Sequence, residues 1–227
     1  MSFSRQLEPL AVLEGAALDG AMAGIGMAFA VKPELTLAIE DVLFFASRLG
    51  VEQGDYRVLS VLCKWIDVHG RLINADRLTR LVQACADDER TLAFWAAAGQ
   101  WKSKDRRFSR LAKLRPREQR LDLFGAGTDF QVRRRGEHPW FEGTCLRVPA
   151  DTLRDREGDV LTPEALARLN PIYRERLVQG PSYRADMWAA LQLDPSTTAS
   201  ELARKTYGSF ATAWEVKRDF DVVRAAA

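Results

Sequence analysis

The chain has 227 residues, of which 47% are hydrophobic and 28% are charged. This length fits one large domain or two small ones, and the apolar fraction excludes wholesale disorder. The formal net charge of +2 excludes the strongly basic profile of a histone-like DNA coat. The charge is unevenly divided, because residues 1–100 carry 9 basic and 13 acidic side chains, whereas residues 101–227 carry 24 basic and 18 acidic ones.

The cysteine and histidine content argues against disulfides and metal sites. Cys63, Cys85 and Cys145 are odd in number and far apart, so they form neither a disulfide framework nor a CxxC pair. With only two histidines, His69 and His138, the chain lacks the ligand spacing of a structural zinc site. We therefore expect no cofactor or metal, and a reducing cytoplasmic location.

No membrane segment is expected. The apolar stretch Ala16–Ala30 is too short to span a bilayer, and Asp19 and several glycines interrupt it. The first residues do not combine a basic start, a long apolar run and a cleavage site, so no signal peptide is predicted.

The region from Pro33 to Gln100 has helical periodicity and predicts an N-terminal helical bundle. Proline suits a first helical position, asparagine suits an N-cap, and glycine suits a left-handed C-cap. These signals predict four helices, namely Pro33 to Gly50, Tyr56 to Val68 with a left-handed cap at His69-Gly70, Asn74 to about Ala84, and Glu89 to Ala98.

Residues 101–120 change character abruptly, since nine of them are Lys or Arg. Cations in such a run can follow a phosphate backbone, and the interleaved Trp101 and Phe108 would suit stacking on bases. The alternative is a solvated helix whose Phe108, Leu111 and Leu114 face the bundle. The predicted DNA contacts of this segment are Lys102, Lys104, Arg106, Arg107 and Arg110.

The following region is predicted to contain strands and short elements. Residues 130–132 and 145–148 alternate apolar and polar side chains, with glycines as punctuation. Thr162-Pro163 predicts a capped short helix, while Asn170-Pro171 and Gly180-Pro181 predict breaks. We expect a connector built from short strands and helices.

The C-terminal residues predict three helices. Tyr183–Leu193 is the first, and a capping box from Thr198 to Glu201 starts a second helix at Ala199–Thr206. Ser209 caps a third helix, Phe210–Phe220. On a helical projection Phe210, Ala213, Trp214, Val216 and Phe220 share one side, which predicts that they pack on the first two helices.

The run Leu202-Ala203, a turn, and Ser209 to Ala213 resembles the helix-turn-helix of bacterial DNA-binding regulators. Tyr207 stands where the turn glycine of that family is expected, and Gly208 follows it. The resemblance implies that the third helix enters the major groove and that the preceding helix holds the backbone. The implied DNA contacts are Arg204, Lys205, Ser209, Ala211, Thr212 and Arg218.

Two other function classes remain open. One is a protein-interaction adaptor without nucleic acid, whose basic segment meets an acidic partner. The other is a nucleotidyltransferase-like enzyme, because Gly208-Ser209 followed by Asp219 and Asp221 has the outline of that family's signature, in which paired carboxylates hold magnesium.

The sequence therefore predicts a mainly α fold with a small β element. It comprises an N-terminal helical bundle (1–118), a connector with short strands near 121–148 (119–180), and a C-terminal tri-helical helix-turn-helix (181–227). The predicted function is DNA binding by a bacterial transcriptional regulator, loosely similar to antitoxin-type regulators. Double-stranded DNA is the expected partner, together with homodimerisation or a protein partner through the N-terminal bundle.

Overall fold

The structure is a computed structural model, and it describes residues 8–9, 11–35, 38–124 and 126–226. These residues form twelve α-helices, a few 3₁₀ turns and a single two-stranded sheet. The prediction of a mainly α fold with a small β element is confirmed. In the described residues, no helix has the length and apolar character needed to cross a membrane.

A helical bundle forms the N-terminal half of the fold. The helix α2 packs against α1, α3, α4 and α5, and α6 packs on α5. The bounds of these helices are α1 (Gly15–Gly24), α2 (Ile39–Val51), α3 (Tyr56–His69), α4 (Ala75–Cys85), α5 (Glu89–Trp101) and α6 (Ser109–Ala112).

The start of the first predicted helix is wrong, and α1 lies where no helix is predicted. Residues 33–35 are not helical, and the predicted apolar position Leu37 lies outside the described residues. The backbone N–H of Glu34 instead donates to the Gly20 carbonyl at 2.9 Å. A Cβ at Gly24 would lie 2.0 Å from the Glu34 carbonyl oxygen, so glycine permits this close backbone approach.

The helix α3 ends at His69 as predicted within one residue, but its cap is not left-handed. Gly70 has φ −55° and continues into a 3₁₀ turn over Gly70–Leu72. The buried His69 ring holds this end in place, since Nε2 lies 3.0 Å from the Leu161 carbonyl and Nδ1 lies 2.8 Å from the Tyr173 hydroxyl. Burial lowers the pKa of His69 to about 4, so the ring is neutral.

The basic segment 101–120 is not one continuous helix. A 3₁₀ turn at Arg106–Phe108 leads into the short α6, and turns follow. Phe108 and Leu111 are buried and Leu114 packs on the main core, as the bundle-facing alternative predicts.

The two strands, β1 (Leu121–Asp122) and β2 (Leu146–Arg147), pair in parallel with Leu121 opposite Leu146. The predicted strand at 130–132 is wrong, because these residues lie in α7 (Thr128–Arg135). Three residues of alternation cannot separate a strand from a helix. Gly127 precedes α7 and has φ +80°. Three arginines lie in the last turn of α7, where cations interact favourably with the negative end of the helix dipole.

Five helices complete the chain. Thr162 and Asn170 cap α8 and α9 by accepting backbone N–H bonds, and a proline occupies the first position of each helix. The bounds are α8 (Pro163–Leu169), α9 (Pro171–Gln179), α10 (Tyr183–Leu193), α11 (Ala199–Lys205) and α12 (Phe210–Ala225).

The buried apolar residues divide unequally. One large cluster runs through the bundle, the sheet and α9, with Trp65, Trp95 and Phe44 among its largest fully buried side chains. A separate cluster of seven buried residues joins the last three helices, namely Met187, Ala190, Leu191, Leu202, Ala213, Val216 and Phe220.

Candidate nucleic-acid interface

The C-terminal module, defined here as α10, α11 and α12, covers the segment whose sequence resembles a helix-turn-helix. The helix α12 packs on both α10 and α11. The capping box is present, since the Thr198 hydroxyl accepts from the Glu201 N–H while the Glu201 carboxylate accepts from the Thr198 N–H. Ser209 caps α12 by accepting from the Thr212 N–H at 3.1 Å. Local capping signals therefore place both helices of the motif.

The turn between α11 and α12 contains a left-handed residue at Tyr207, which has φ +58°. A tyrosine in this conformation is strained, whereas the glycine expected there in the resembled family would not be. At the next residue, Gly208, a Cβ would lie 2.1 Å from Cε of Met187, so the end of the Met187 side chain would have to move to admit a larger residue. The glycine of this turn therefore stands one position later than in the family pattern, and the left-handed position is taken by Tyr207.

Contacts with the bundle hold Tyr207 in place. Its hydroxyl donates a short hydrogen bond to the Asp41 carboxylate on α2, and the Arg77 guanidinium lies 3.7 Å from its ring centroid. Arg77 in turn donates to Asp41 at 2.7 Å. Burial raises the pKa of Asp41 to about 6, against the lowering effects of Arg77 and Tyr207.

A second buried ionic group joins α10 to the bundle. The fully buried Arg176 of α9 donates to Glu40 of α2 at 2.6 Å and to Asp186 of α10 at 2.7 Å. Glu40 also accepts from the Asn74 N–H at 2.8 Å, and Arg176 donates to the Leu72 carbonyl at 3.0 Å. Sequence reasoning missed this group, since Glu40 and Arg176 are 136 residues apart.

The predicted DNA contacts of the module lie around the start of α12. Ala211 and Arg204 are exposed, and Lys205 is half-buried. The hydroxyls of Ser209 and Thr212 lie 2.8 Å apart and bond to each other, so each is partly engaged within the cap. The structure therefore brings these five positions to one end of the module.

Arg218 lies farther along the exposed side of α12. It pairs with Asp219 at 2.9 Å, and its guanidinium lies 5.4 Å from the Trp214 ring centroid. The carboxylates of Glu215 and Asp219 both face Arg184 of α10, at 3.5 and 3.3 Å. The guanidinium of Arg218, assisted by that of Arg184, lowers the pKa of Asp219. The acidic groups on this side are thus largely offset by arginines.

The predicted inward side of α12 is partly wrong. Ala213, Val216 and Phe220 are buried as predicted, but Phe210 and Trp214 are 43% and 53% exposed. The helix packs on α10 and α11 along one narrow stripe only, and the two exposed aromatics lie beside that stripe.

Three of the five residues of the basic segment that are predicted to contact DNA form ion pairs within the protein. The Lys102 ammonium lies 2.8 Å from Asp67, and Arg110 lies 3.1 Å from Asp76. The Arg107 guanidinium bonds to Asp105 and lowers the pKa of that carboxyl. Lys104 and Arg106 are exposed and make no ion pair within the described ranges.

The remaining arginines of the segment fasten it to the fold. Arg117 donates to the Gly143 carbonyl at 2.6 Å, and Arg120 pairs with Glu137 at 2.6 Å. Arg115 pairs with Glu89 at 2.5 Å at the start of α5. A basic run in the sequence therefore combines structural cations with a smaller number of exposed ones.

The carboxylates of the nucleotidyltransferase alternative do not converge. Asp219 and Asp221 are two residues apart on α12, which places them on different sides of the helix. Asp219 bonds to arginines, while Asp221 lies 3.1 Å from Lys217. Among the described residues, no group of three or more His, Cys, Asp or Glu side chains could hold a metal ion.

No protein family, curated protein or solved structure matches this chain.

Proposed function

We propose that this chain binds double-stranded DNA through its C-terminal module and acts as a bacterial-type transcriptional regulator. The observation that carries the proposal is the exposure of side chains in the first turn of α12. There the small Ala211 is exposed beside Thr212, and Arg204 and Lys205 flank them from the end of α11. Small and hydroxyl side chains allow close approach to base edges, and flanking cations suit phosphates.

Charge compensation on the module supports the same surface. Glu215 and Asp219 would repel phosphates if they stood alone, but Arg184 lies within 3.5 Å of both. The positive end of the α12 dipole points to the same side as the predicted contacts. Lys104 and Arg106 supply further exposed cations in the basic segment.

The test is a selection from randomised duplexes with the full chain at low salt, followed by affinity measured against salt concentration. Arg204→Gln combined with Lys205→Gln should reduce the log–log salt slope by about 2, because each lost phosphate contact removes about 0.9. Arg71→Gln combined with Arg168→Gln makes the same change in net charge at exposed sites outside the C-terminal module, and should leave the slope almost unchanged.

Replacing the residues at the start of α12 tests base reading separately. Thr212→Ala and Arg218→Gln should change the selected sequence, whereas Arg204→Gln should weaken all sequences alike. Absence of duplex binding at low salt, or an affinity that ignores ionic strength, would refute the proposal.

A second candidate function, self-association, is favoured by an exposed apolar stripe on α12 that is distinct from the side packed on α10 and α11. On this exposed stripe the side chains of Trp214 and Val222 are 53% and 65% exposed. They line a shallow groove of about 510 Å³ together with Lys217, Arg218, Asp221 and Ala225. Exposed apolar surface of this kind is typical of protein interfaces.

The stripe is complementary to itself when reversed. An antiparallel pair of α12 helices, with its two-fold axis between residues 219 and 220, sets Arg218 against Asp221 of the second copy. It also sets the large Trp214 against the small Ala225. A second copy of this chain is therefore the occupant that the charge pattern favours.

Sedimentation analysis with a charge swap tests self-association. Arg218→Glu should dissociate the dimer, and the double variant Arg218→Glu with Asp221→Arg should restore it, because the reversed pairs are again opposite in charge. A wild-type chain that remains monomeric at high micromolar concentration would contradict the second candidate, and would leave the DNA proposal unaffected.

A further inference from the structure

A cavity lined by arginines and hydroxyl groups lies in the bundle, apart from the C-terminal module. Its volume is about 440 Å³, within the range of small-molecule sites. One wall is the first turns of α3, and the other is the loop 152–159 after β2. The lining residues are Tyr56, Arg57, Ser60, Val61, Thr152, Arg154, Arg156 and Asp159.

Three arginines line this cavity from two walls. Arg57 belongs to α3, whereas Arg154 and Arg156 belong to the opposite loop. None of the three makes an ion pair within the residues that the structure describes, whereas Arg147 next to this loop binds both Asp122 and Asp129. Three arginines against the single carboxylate of Asp159 leave the lining with a net positive charge, which attracts an anion.

Nearby carboxylates are mostly engaged elsewhere. Asp155 of the loop pairs with Lys64 at 2.7 Å, outside the cavity lining. Asp55 caps α3 by accepting from the N–H groups of Arg57 and Val58, so an anion in the cavity would depend on side chains rather than on the helix end. Asp159 is the one carboxylate among the lining residues.

Internal bonds hold the two walls together. The Ser60 hydroxyl donates to the Tyr56 carbonyl at 2.6 Å and accepts from the Arg154 N–H at 3.1 Å, which fastens the loop to α3. The Tyr56 ring packs edge-on against Phe124, with centroids 5.1 Å apart. Burial raises the pKa of Tyr56, so its hydroxyl remains a neutral donor.

We infer that this cavity is a binding site for a small molecule that carries a diphosphate group. A guanidinium presents a planar fork of donors that matches phosphate oxygens. Three guanidinium forks offer more donors than the two oxygens of one carboxylate can accept, whereas a diphosphate has enough oxygens for all three. The inference does not depend on DNA binding by the C-terminal module.

Calorimetric titration of the full chain with pyrophosphate, inorganic phosphate and citrate at constant ionic strength tests the site. We expect saturable binding of one pyrophosphate per chain and weaker binding of phosphate, because phosphate offers fewer oxygens and less negative charge to the three arginines. Absence of pyrophosphate binding, or equally tight binding of citrate, would overturn the assignment.

Substitutions place the binding in the cavity. Arg57→Gln and Arg154→Gln each remove one fork, from opposite walls, and each should weaken pyrophosphate binding about tenfold. Arg57→Lys keeps the charge but loses the fork, and should give an intermediate loss. Both arginines are exposed, so neither substitution breaks a buried ion pair.

Arg168→Gln is the matched control, since Arg168 is exposed, lies outside the cavity lining and loses the same charge. It should bind pyrophosphate as the wild type does. An equal loss in Arg168→Gln and Arg154→Gln would mean that pyrophosphate responds to net charge alone, which would overturn the site.

Discussion

The bundle and the C-terminal module are stabilised in different ways. The bundle buries a large apolar cluster that includes Trp65 and Trp95, whereas the module has seven buried apolar residues of its own. Buried charged groups, centred on Arg176 and Arg77, join the module to the bundle. Apolar burial is non-directional, whereas ion pairs demand geometry, so the bundle supplies most of the stability and the junction fixes the position of the module.

The largest expected effect comes from breaking the junction at Arg176. Arg176→Met leaves Glu40 and Asp186 buried without a counter-charge, and should lower the free energy of unfolding by about 3–5 kcal/mol. Urea denaturation followed by circular dichroism measures the change. Arg174→Met is the control, because this neighbour in α9 is exposed and should cost less than 1 kcal/mol, as expected of surface charges. Similar losses in the two variants would contradict the special role of Arg176.

The second prediction compares the two apolar clusters directly. Leu43 in α2 and Leu202 in α11 are both fully buried, and each can be replaced by alanine. Such changes cost about 2–5 kcal/mol, with the smaller cost where neighbours can collapse into the space. We therefore expect Leu43→Ala to lie near the upper end and Leu202→Ala near the lower end in urea denaturation. A larger loss for Leu202→Ala would show that the module is packed as rigidly as the bundle.

The third prediction concerns pH and the Asp41 carboxyl at the junction. Its pKa in the folded chain, about 6, is raised above the ordinary value of 3.8, so folding favours the protonated form. The stability that this provides is complete below pH 3.8 and is lost as the pH rises through about 6. We expect the difference in unfolding free energy between the wild type and Asp41→Asn to fall across this interval and to be flat above it.

Tyr207→Phe sharpens the same measurement. It removes the hydroxyl that donates to Asp41, which should cost about 1–3 kcal/mol because the buried carboxylate loses one of its donors and keeps Arg77. The pKa of Asp41 should rise further, so the decline in stability should move to higher pH. His69 contributes in the opposite sense, because its pKa is lowered to about 4 and its neutral form favours folding as the pH rises. This contribution cancels when the pH profile of the unfolding free energy of the variant is subtracted from that of the wild type. An unshifted decline would mean that Tyr207 does not control Asp41.

The sequence predicts the elements that depend on local signals and misses those that depend on distant ones. Asn74, Thr162, Thr198 and Ser209 each satisfy a backbone N–H a few residues away, and the helices that they cap are found where predicted. The same is true of the order of the last three helices. No short-range rule could reveal that Glu34 packs against Gly20 and Gly24 of α1, because that contact is tertiary.

The candidate site shows the same division. The positions at the start of α12 follow from the cap at Ser209, but their electrostatic surroundings do not. The run of cations in 101–120 gives no indication that Arg110 faces Asp76 or that Arg120 faces Glu137, because both carboxylates come from other elements. Tyr207 could be placed in the turn from sequence, whereas its bond to Asp41 spans 166 residues.

The smallest expected effect on stability comes from Arg184, and it separates stability from recognition. Its pairs with Glu215 and Asp219 are exposed, so Arg184→Gln should change the unfolding free energy by less than about 1 kcal/mol. The substitution nevertheless removes the cation that offsets two carboxylates on the outward side of α12. If that side faces DNA, duplex affinity should fall several-fold at low salt while urea denaturation stays almost unchanged.

Arg184→Lys keeps the charge and should retain most of the affinity. Unchanged duplex affinity in Arg184→Gln would place the DNA contact away from Glu215 and Asp219, at the first turn of α12 alone.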